Sequence, residues 1–146
     1  MRFDMAYCNQ AVCAPETGIT RTRQAGMLDF DLFTRVIDEA GPSLGRVDFF
    51  NYGEAFLHKR AVEMCEYIKT KFPHIYLYTS TNGLAFTPDQ ARRLVHSGID
   101  EVTFSIDGAT PENYVKYRQR GDFHKALANL AAMVDEKRKA GRDVPF

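Results

Sequence analysis

The chain has 146 residues, with 19 basic and 19 acidic side chains and a hydrophobic fraction of 45%, a composition typical of one globular domain. This length is too short for a complete eight-unit barrel, which takes about 250 residues. The balanced charge argues against nucleic acid and membrane surfaces as partners. Since the sequence shows neither a signal-peptide pattern nor a run of about 20 apolar residues, we expect a cytoplasmic protein.

Helix and strand patterns alternate along most of the chain, after a long polar loop over residues 9–28. The helices are predicted from apolar residues at helical spacing and from their capping residues, and the strands from short β-branched and aromatic runs. In chain order we predict a helix over 29–40, a strand over 47–50, a helix over 58–72, a strand over 75–81, a helix over 87–98, a strand over 101–106, helical segments over 110–120 and 123–140, and the approach to a further strand at 144–146.

This alternation predicts an α/β fold with a parallel sheet and right-handed crossovers. Only seven residues precede Cys8, and residues 144–146 lead toward a strand. We therefore expect both ends of the chain to be cut from a longer unit. The prediction is a partial parallel (β/α) barrel, with residues 1–146 forming one partial domain.

Small and polar residues stand beside a glycine after each of the three predicted strands. Ligands of parallel α/β folds bind in these loops, at the carboxyl ends of the strands. We predict that four side chains surround one ligand-binding site, which suits a small ligand with an ammonium group and a ribose. Asn82, Ser105 and Asp107 also suit plain turn or cap roles, and Glu54 also suits the role of an ordinary surface carboxylate. The four side chains are those of Glu54, Asn82, Ser105 and Asp107.

Four motifs resemble those of the radical S-adenosylmethionine (radical SAM) enzymes. Residues 1–8, Met-Arg-Phe-Asp-Met-Ala-Tyr-Cys, resemble the C-x3-C-x-aromatic-C cluster motif, and residues 50–55 resemble the G-G-E-P turn. The loops at 81–83 and 105–108 are similar to later strand-end motifs of the family. Tyr114, Tyr117, Arg118 and the step at 121–123 are similar to the branch that carries a C-terminal auxiliary-cluster (SPASM-type) domain.

The resemblance implies a [4Fe-4S] cluster and S-adenosylmethionine as cofactors. In that family three thiolates hold the cluster, and reduction of S-adenosylmethionine yields a 5′-deoxyadenosyl radical that abstracts a hydrogen from the substrate. The resemblance assigns Cys8 to the cluster, and it leaves open whether the substrate is a small molecule or a peptide. It assigns to S-adenosylmethionine the residues Gly53, Glu54, Asn82, Ser105 and Asp107.

Two positions depart from the cluster motif, because Met1 and Met5 stand where the family has cysteine. A thioether carries no charge, whereas iron–sulfur clusters are held by thiolates. Cys13 is an alternative thiolate donor, and Cys65 lies on an apolar helix face and is predicted to be core. Arg118 either pairs with a ligand carboxylate or belongs to a solvated basic cluster.

Two functions therefore stay open. The first is a radical SAM core fragment that generates the 5′-deoxyadenosyl radical. The second is a cluster-less, non-catalytic remnant that binds S-adenosylmethionine or only a partner chain. Open edges of an incomplete sheet favour such association.

Overall fold

The computed structural model of the protein describes residues 27–50 and 53–146, so that Cys8 and most of the predicted loop at 9–28 lie outside the described residues. Within these ranges no helix has the length and apolar character needed to cross a lipid bilayer. Short 3-10 turns lie at Gly41–Ser43 and Ala55–Leu57. The helices are α1 (Phe30–Ala40), α2 (Ala61–Lys71), α3 (Pro88–His96), α4 (Pro111–Tyr117) and α5 (Phe123–Lys139), and the strands are β1 (Arg46–Asp48), β2 (Tyr76–Thr81) and β3 (Glu101–Phe104).

Side-chain caps fix the helix starts that the sequence predicts. Asp29 accepts a hydrogen bond from the backbone N–H of Leu32 at 2.9 Å and so begins α1. Thr87 and Gln90 form a reciprocal capping box at the start of α3, and Thr110 caps α4 in the same way as Asp29 caps α1. These caps satisfy backbone N–H groups that have no partner within a helix.

The three strands form one parallel sheet in the order β1-β2-β3. This arrangement confirms the α/β fold class and is consistent with a partial (β/α) barrel. β1 and β3 end two residues earlier than predicted, at Asp48 and Phe104. Pairing continues for one hydrogen bond beyond each, from Phe49 N–H to Tyr78 at 2.7 Å and from Ser105 N–H to Thr81 at 2.8 Å, after which the backbone turns away from the sheet.

One face of the sheet packs against the helices. The register places Val47 opposite Leu77 and Thr79 opposite Val102, so these side chains share a face, and Leu77 and Thr79 are fully buried. Cys65 of α2 is fully buried in this core, as predicted, and burial raises the pKa of its thiol. Other members of the core include Phe33, Ile37, Phe56, Val62, Met64, Ile68, Ile75, Leu94, Val95 and Ile99.

The segment at 144–146 reaches the free edge of β3, as the sequence predicts. Phe146 donates its N–H to the carbonyl of Asp100 and accepts from the N–H of Val102, each at 2.9 Å. Bonding to two residues that flank one position of the neighbouring strand is the pattern of parallel pairing. Phe146 therefore lies beside β3 with the hydrogen bonds of a parallel pair.

A buried polar cluster joins α2, β2 and β3 at the end of the sheet where the strands begin. The Nζ of Lys69 donates to the carbonyls of Pro73 and Ile75 and to Asp100 Oδ2, at 3.2, 2.8 and 2.8 Å. Asp100 Oδ2 also accepts from the N–H of Leu77 at 2.7 Å. Because the Lys69 side chain is only 10% exposed, this ammonium depends on these partners for its hydrogen bonds.

Replacing Lys69 with methionine keeps the aliphatic stem and removes all three donors. We expect the free energy of unfolding to fall by about 2–4 kcal/mol, because the Asp100 carboxylate loses its counterion in a partly buried setting. Urea unfolding followed by circular dichroism measures this change. Lys71→Met is the matched control: its ion pair with Asp38 is exposed, so its effect should be much smaller, and equal losses for both variants would contradict the role assigned to Lys69.

Candidate functional site

Glu54 joins the loop after β1 to the end of β2. Its Oε1 accepts from the hydroxyl of Thr81 at 2.9 Å and from the N–H of Phe56 at 3.2 Å, and its Oε2 accepts from the N–H of Asn82 at 2.8 Å. Glu54 is only 6% exposed. Both carboxylate oxygens are therefore bound within the chain, at the carboxyl edge, by which we mean the end of the sheet where β1, β2 and β3 finish.

Opposing influences act on the charge of Glu54. Burial raises the pKa of this carboxyl, whereas its three hydrogen-bond donors and the positive charge of Arg118 act in the opposite direction. Burial is the strongest of these influences, so the pKa of Glu54 is raised above its ordinary value.

The loop after β2 is held by hydrogen bonds on two sides. Asn82 Oδ1 accepts from the N–H of Leu84 at 2.8 Å, which realises the turn role predicted as an alternative for this residue. Asn129 of α5 donates its Nδ2 to the carbonyl of Gly83 at 2.6 Å. Gly83 has φ +74°, and a Cβ at this position would lie 2.8 Å from the ring of Phe104, so the turn requires glycine.

Ser105 and Asp107 contribute hydroxyl and charged groups to the carboxyl edge. The hydroxyl of Ser105 lies 2.9 Å from that of Ser80 on the neighbouring strand. Asp107 Oδ2 accepts from Nε of Arg118 at 2.6 Å and lies in ion-pair contact with its Nη2, also at 2.6 Å. The Arg118 side chain is 14% exposed and that of Asp107 is 46% exposed, so Arg118 is a largely buried partner of a half-exposed acid and not part of a solvated basic cluster.

Tyr114 supports the segment that carries Asp107 and Arg118. Its side chain is fully buried and lies beside the ring of Phe123 at 5.5 Å between centroids. A Cβ on Gly108 would overlap the backbone N of Tyr114, and one on Gly121 would lie 2.8 Å from the Tyr114 hydroxyl. Both glycines therefore allow α4 to pack directly against the turns that precede and follow it.

The structure places the predicted residues that it describes at one edge of the sheet, but only some of them bond one another. Glu54 and Asn82 are directly bonded, and Gly53 precedes them with φ +88°. Ser105 and Asp107 follow the neighbouring strand, while Cys8 lies outside the described residues. Sequence reasoning missed Thr81, which donates to Glu54, and Asn129, which holds Gly83. Asn129 carries a detectable signal, because it is a polar residue three positions after the fully buried Ala126 of α5.

Comparison with known protein families shows to which superfamily the chain belongs. The sequence profile of the Radical SAM superfamily matches residues 6–142, which is nearly the whole chain. The chain belongs to the radical SAM superfamily. This confirms the resemblance seen in the four sequence motifs.

Individual relatives of this radical SAM chain carry several different names. The chain is 29% identical over 135 residues to a tungsten-containing aldehyde ferredoxin oxidoreductase cofactor-modifying protein of Pyrococcus furiosus, with 78% of the chain and 37% of the relative covered. It is 33% identical over 122 residues to a GTP 3′,8-cyclase of Streptomyces coelicolor, covering 82% of the chain and 35% of the relative. It is 30% identical over 139 residues to the mycofactocin maturase MftC of Mycobacterium tuberculosis, covering 90% and 34%.

The chain thus matches only about a third of the length of these relatives. Their different names also show that a shared radical SAM core does not fix the substrate. The groups at the carboxyl edge must therefore be interpreted from their own chemistry.

The cluster of the family does not fit the donors that this chain offers at the motif. Met1 and Met5 supply neutral thioethers, and Cys8 alone supplies a thiolate, whereas a cluster of this kind is held by thiolates. Within residues 27–50 and 53–146, no three histidine, cysteine or acidic side chains form a metal-binding group. These residues therefore do not provide the three-thiolate ligand set of a [4Fe-4S] cluster.

Replacing Glu54 with glutamine tests whether the carboxylate holds the two loops together. The amide nitrogen of glutamine is a donor and must face at least one of the three donors that Glu54 now satisfies. We expect the free energy of unfolding to fall by about 1–3 kcal/mol, the usual cost of a buried hydrogen bond lost on one side. Glu39→Gln on the exposed side of α1 is the matched control in urea unfolding, and a Glu54→Gln variant as stable as this control would refute the structural role.

Proposed function

We propose that the carboxyl edge binds S-adenosylmethionine, as part of the core domain of a radical SAM enzyme. The observation that carries the proposal is that polar groups from the ends of three consecutive parallel strands share one edge, where Glu54 bonds the end of β2 and the hydroxyl of Ser80 lies 2.9 Å from that of Ser105. Ligands of parallel α/β folds bind at this edge. Family membership favours S-adenosylmethionine over other nucleotide-like ligands.

The residues present fit the methionyl part of this ligand. That part carries an ammonium and a carboxylate, and the pair of Asp107 and Arg118 offers one group of opposite charge for each. Nε and Nη2 of Arg118 both lie 2.6 Å from the same oxygen of Asp107, Oδ2, and no bond from another described residue reaches Asp107 Oδ1. Asp107 can therefore accept from an ammonium, while Arg118 retains donors for a carboxylate.

Neutral groups at the same edge fit the ribose. The paired hydroxyls of Ser80 and Ser105 each have donor and acceptor capacity beyond their mutual bond. Asn82 uses its carbonyl oxygen within the loop and keeps its side-chain N–H groups for a ligand hydroxyl. When bound, S-adenosylmethionine supplies a reactive sulfonium attached to the 5′ carbon of the nucleoside.

Glu54 acts in this proposal by positioning. Because its two oxygens already accept three bonds from the chain, it orders the loop after β1 and the backbone of Asn82. The ligand then meets the segment at 54–56 and the backbone of Asn82 already held by hydrogen bonds, which lowers the entropic cost of binding.

The side chains at the three positions of the cluster motif favour a second candidate function. With Met1 and Met5 at two of the three positions, the chain is a cluster-less remnant that binds S-adenosylmethionine without radical formation. Both candidates share the same ligand site, so ligand binding and cluster assembly are tested separately.

Ligand binding is tested by calorimetric titration of the full chain with S-adenosylmethionine. We expect binding in the unsubstituted protein and about tenfold weaker binding for Asp107→Asn and Arg118→Gln, because each removes one charged hydrogen bond. Arg92→Gln, an exposed residue of α3 paired with Asp89, should bind as the unsubstituted chain does. Absence of heat in the unsubstituted chain would exclude the proposed site.

Cluster assembly is tested by anaerobic reconstitution with iron and sulfide. We expect iron well below four atoms per chain for the unsubstituted protein, because one thiolate replaces three. A variant with Met1→Cys and Met5→Cys, preceded by an added start methionine, should bind close to four irons and give the paramagnetic signal of a reduced [4Fe-4S] cluster. A full complement of iron in the unsubstituted chain would instead favour the enzyme core with unaltered residues.

A further inference from the structure

The second face of the sheet, opposite the helices, is polar. The register pairs Arg46 with Tyr76, Asp48 with Tyr78, Tyr78 with Glu101, and Ser80 with Thr103, so these side chains alternate with the buried ones and share a face. The side chains of Arg46 and Asp48 are 52% and 51% exposed. We call this surface the polar wall, and it consists of Arg46, Asp48, Tyr76, Tyr78, Glu101 and Thr103.

This composition differs from that of a packed barrel interior. Parallel strands are usually apolar on both faces, and the interior of a closed eight-stranded barrel is filled mainly by valine, isoleucine and leucine. The polar wall contains none of these aliphatic residues. A surface of this kind suits contact with water or with a polar ligand better than it suits close packing against other strands.

Hydrogen bonds and ring contacts within the wall hold its side chains in place. Arg46 Nε donates to Asp48 Oδ1 at 2.6 Å, and the Tyr76 hydroxyl donates to Glu101 Oε2 at 2.9 Å. The guanidinium carbon of Arg46 lies 5.0 Å from the centre of the Tyr78 ring. The wall thus already places a cation of the chain against an aromatic ring, a contact that is electrostatically favourable.

The charges of the wall do not cancel. Arg46 and Asp48 form an ion pair, while the partner of Glu101 is the neutral hydroxyl of Tyr76. Among the residues that the structure describes, no hydrogen bond reaches Glu101 Oε1 or Asp48 Oδ2. The carboxylates of Asp48 and Glu101 lie on either side of Tyr78, in register across the three strands. Because Arg46 compensates only Asp48, the wall carries one net negative charge.

We propose that the polar wall binds a substrate that carries one protonated amine beside a planar, apolar group. The ammonium would contact the free Oε1 of Glu101, and the planar group would lie against Tyr78 and Phe50, whose ring centroids are 5.0 Å apart. The role of this ligand as substrate rests on the proposed function, because the wall meets the carboxyl edge at Ser80 and Ser105. The ammonium preference itself rests only on the charges of the wall.

An anion is the main rival occupant, because Arg46 retains its two terminal nitrogens. Asp48 already neutralises this guanidinium at 2.6 Å, and an anionic ligand would add to the negative charge of Glu101. The balance of charge therefore favours a cation, and a pair of probes with the same ring and opposite charge separates the two cases.

The test is an NMR titration of the full chain with phenethylamine and, separately, with phenylacetate. We expect phenethylamine to bind with perturbation of tyrosine ring signals, and phenylacetate to bind at least tenfold more weakly. Glu101→Gln keeps an acceptor for Tyr76 and should weaken phenethylamine binding about tenfold, whereas Arg46→Gln should strengthen it. Glu39→Gln on α1 is the matched control and should leave both titrations unchanged.

The outcomes separate this inference from the proposed function when the same variants are titrated with S-adenosylmethionine. Tight phenylacetate binding that is lost in Arg46→Gln would overturn the inference in favour of an anion site. Binding of S-adenosylmethionine without any binding of phenethylamine would overturn the inference alone. Binding of phenethylamine that depends on Glu101, without binding of S-adenosylmethionine, would support the wall as an ammonium site and overturn the proposed function.

Discussion

The buried carboxylate of Glu54 is the constraint on which the carboxyl edge depends. An isolated charge at 6% exposure would be strongly unfavourable, so the chain must present donors to it, and they come from the loop after β1 and from the end of β2. Satisfying the carboxylate fixes the position of both loops. The hydroxyl pair of Ser80 and Ser105 links the end of β2 to the segment after β3, where Asp107 is paired with Arg118.

The two ends of the sheet use similar chemistry for different purposes. Where the strands begin, Lys69 and Asp100 bond one another and the backbone, and every donor of the ammonium is bound within the protein. Where the strands finish, Asp107, Arg118 and the hydroxyls of Ser80 and Ser105 have hydrogen-bonding capacity that no residue in 27–50 or 53–146 uses. One end therefore contributes mainly to stability, and the other can exchange internal hydrogen bonds for bonds to a ligand.

Structural features that depend on residues close together along the chain can be predicted from the sequence. The caps at Asp29, Thr87 and Thr110 bond N–H groups three positions away, and apolar spacing identifies the buried face of α2. The partners of Glu54 and Gly83 are 27, 28 and 46 residues away along the chain, so no local pattern predicts them. The sequence therefore predicts Glu54 as a ligand residue, whereas the tertiary structure engages both of its oxygens within the chain.

The polar wall also depends on this long-range information. Arg46, Tyr76 and Glu101 lie in three separate strands, and only the register shows that they share one face. Because that face is hydrophilic, this three-stranded parallel sheet has the one-sided character more usual for antiparallel sheets. Water can therefore hydrate the charged groups of the wall directly, and covering them with a second layer of protein would require new polar partners for Arg46, Asp48 and Glu101.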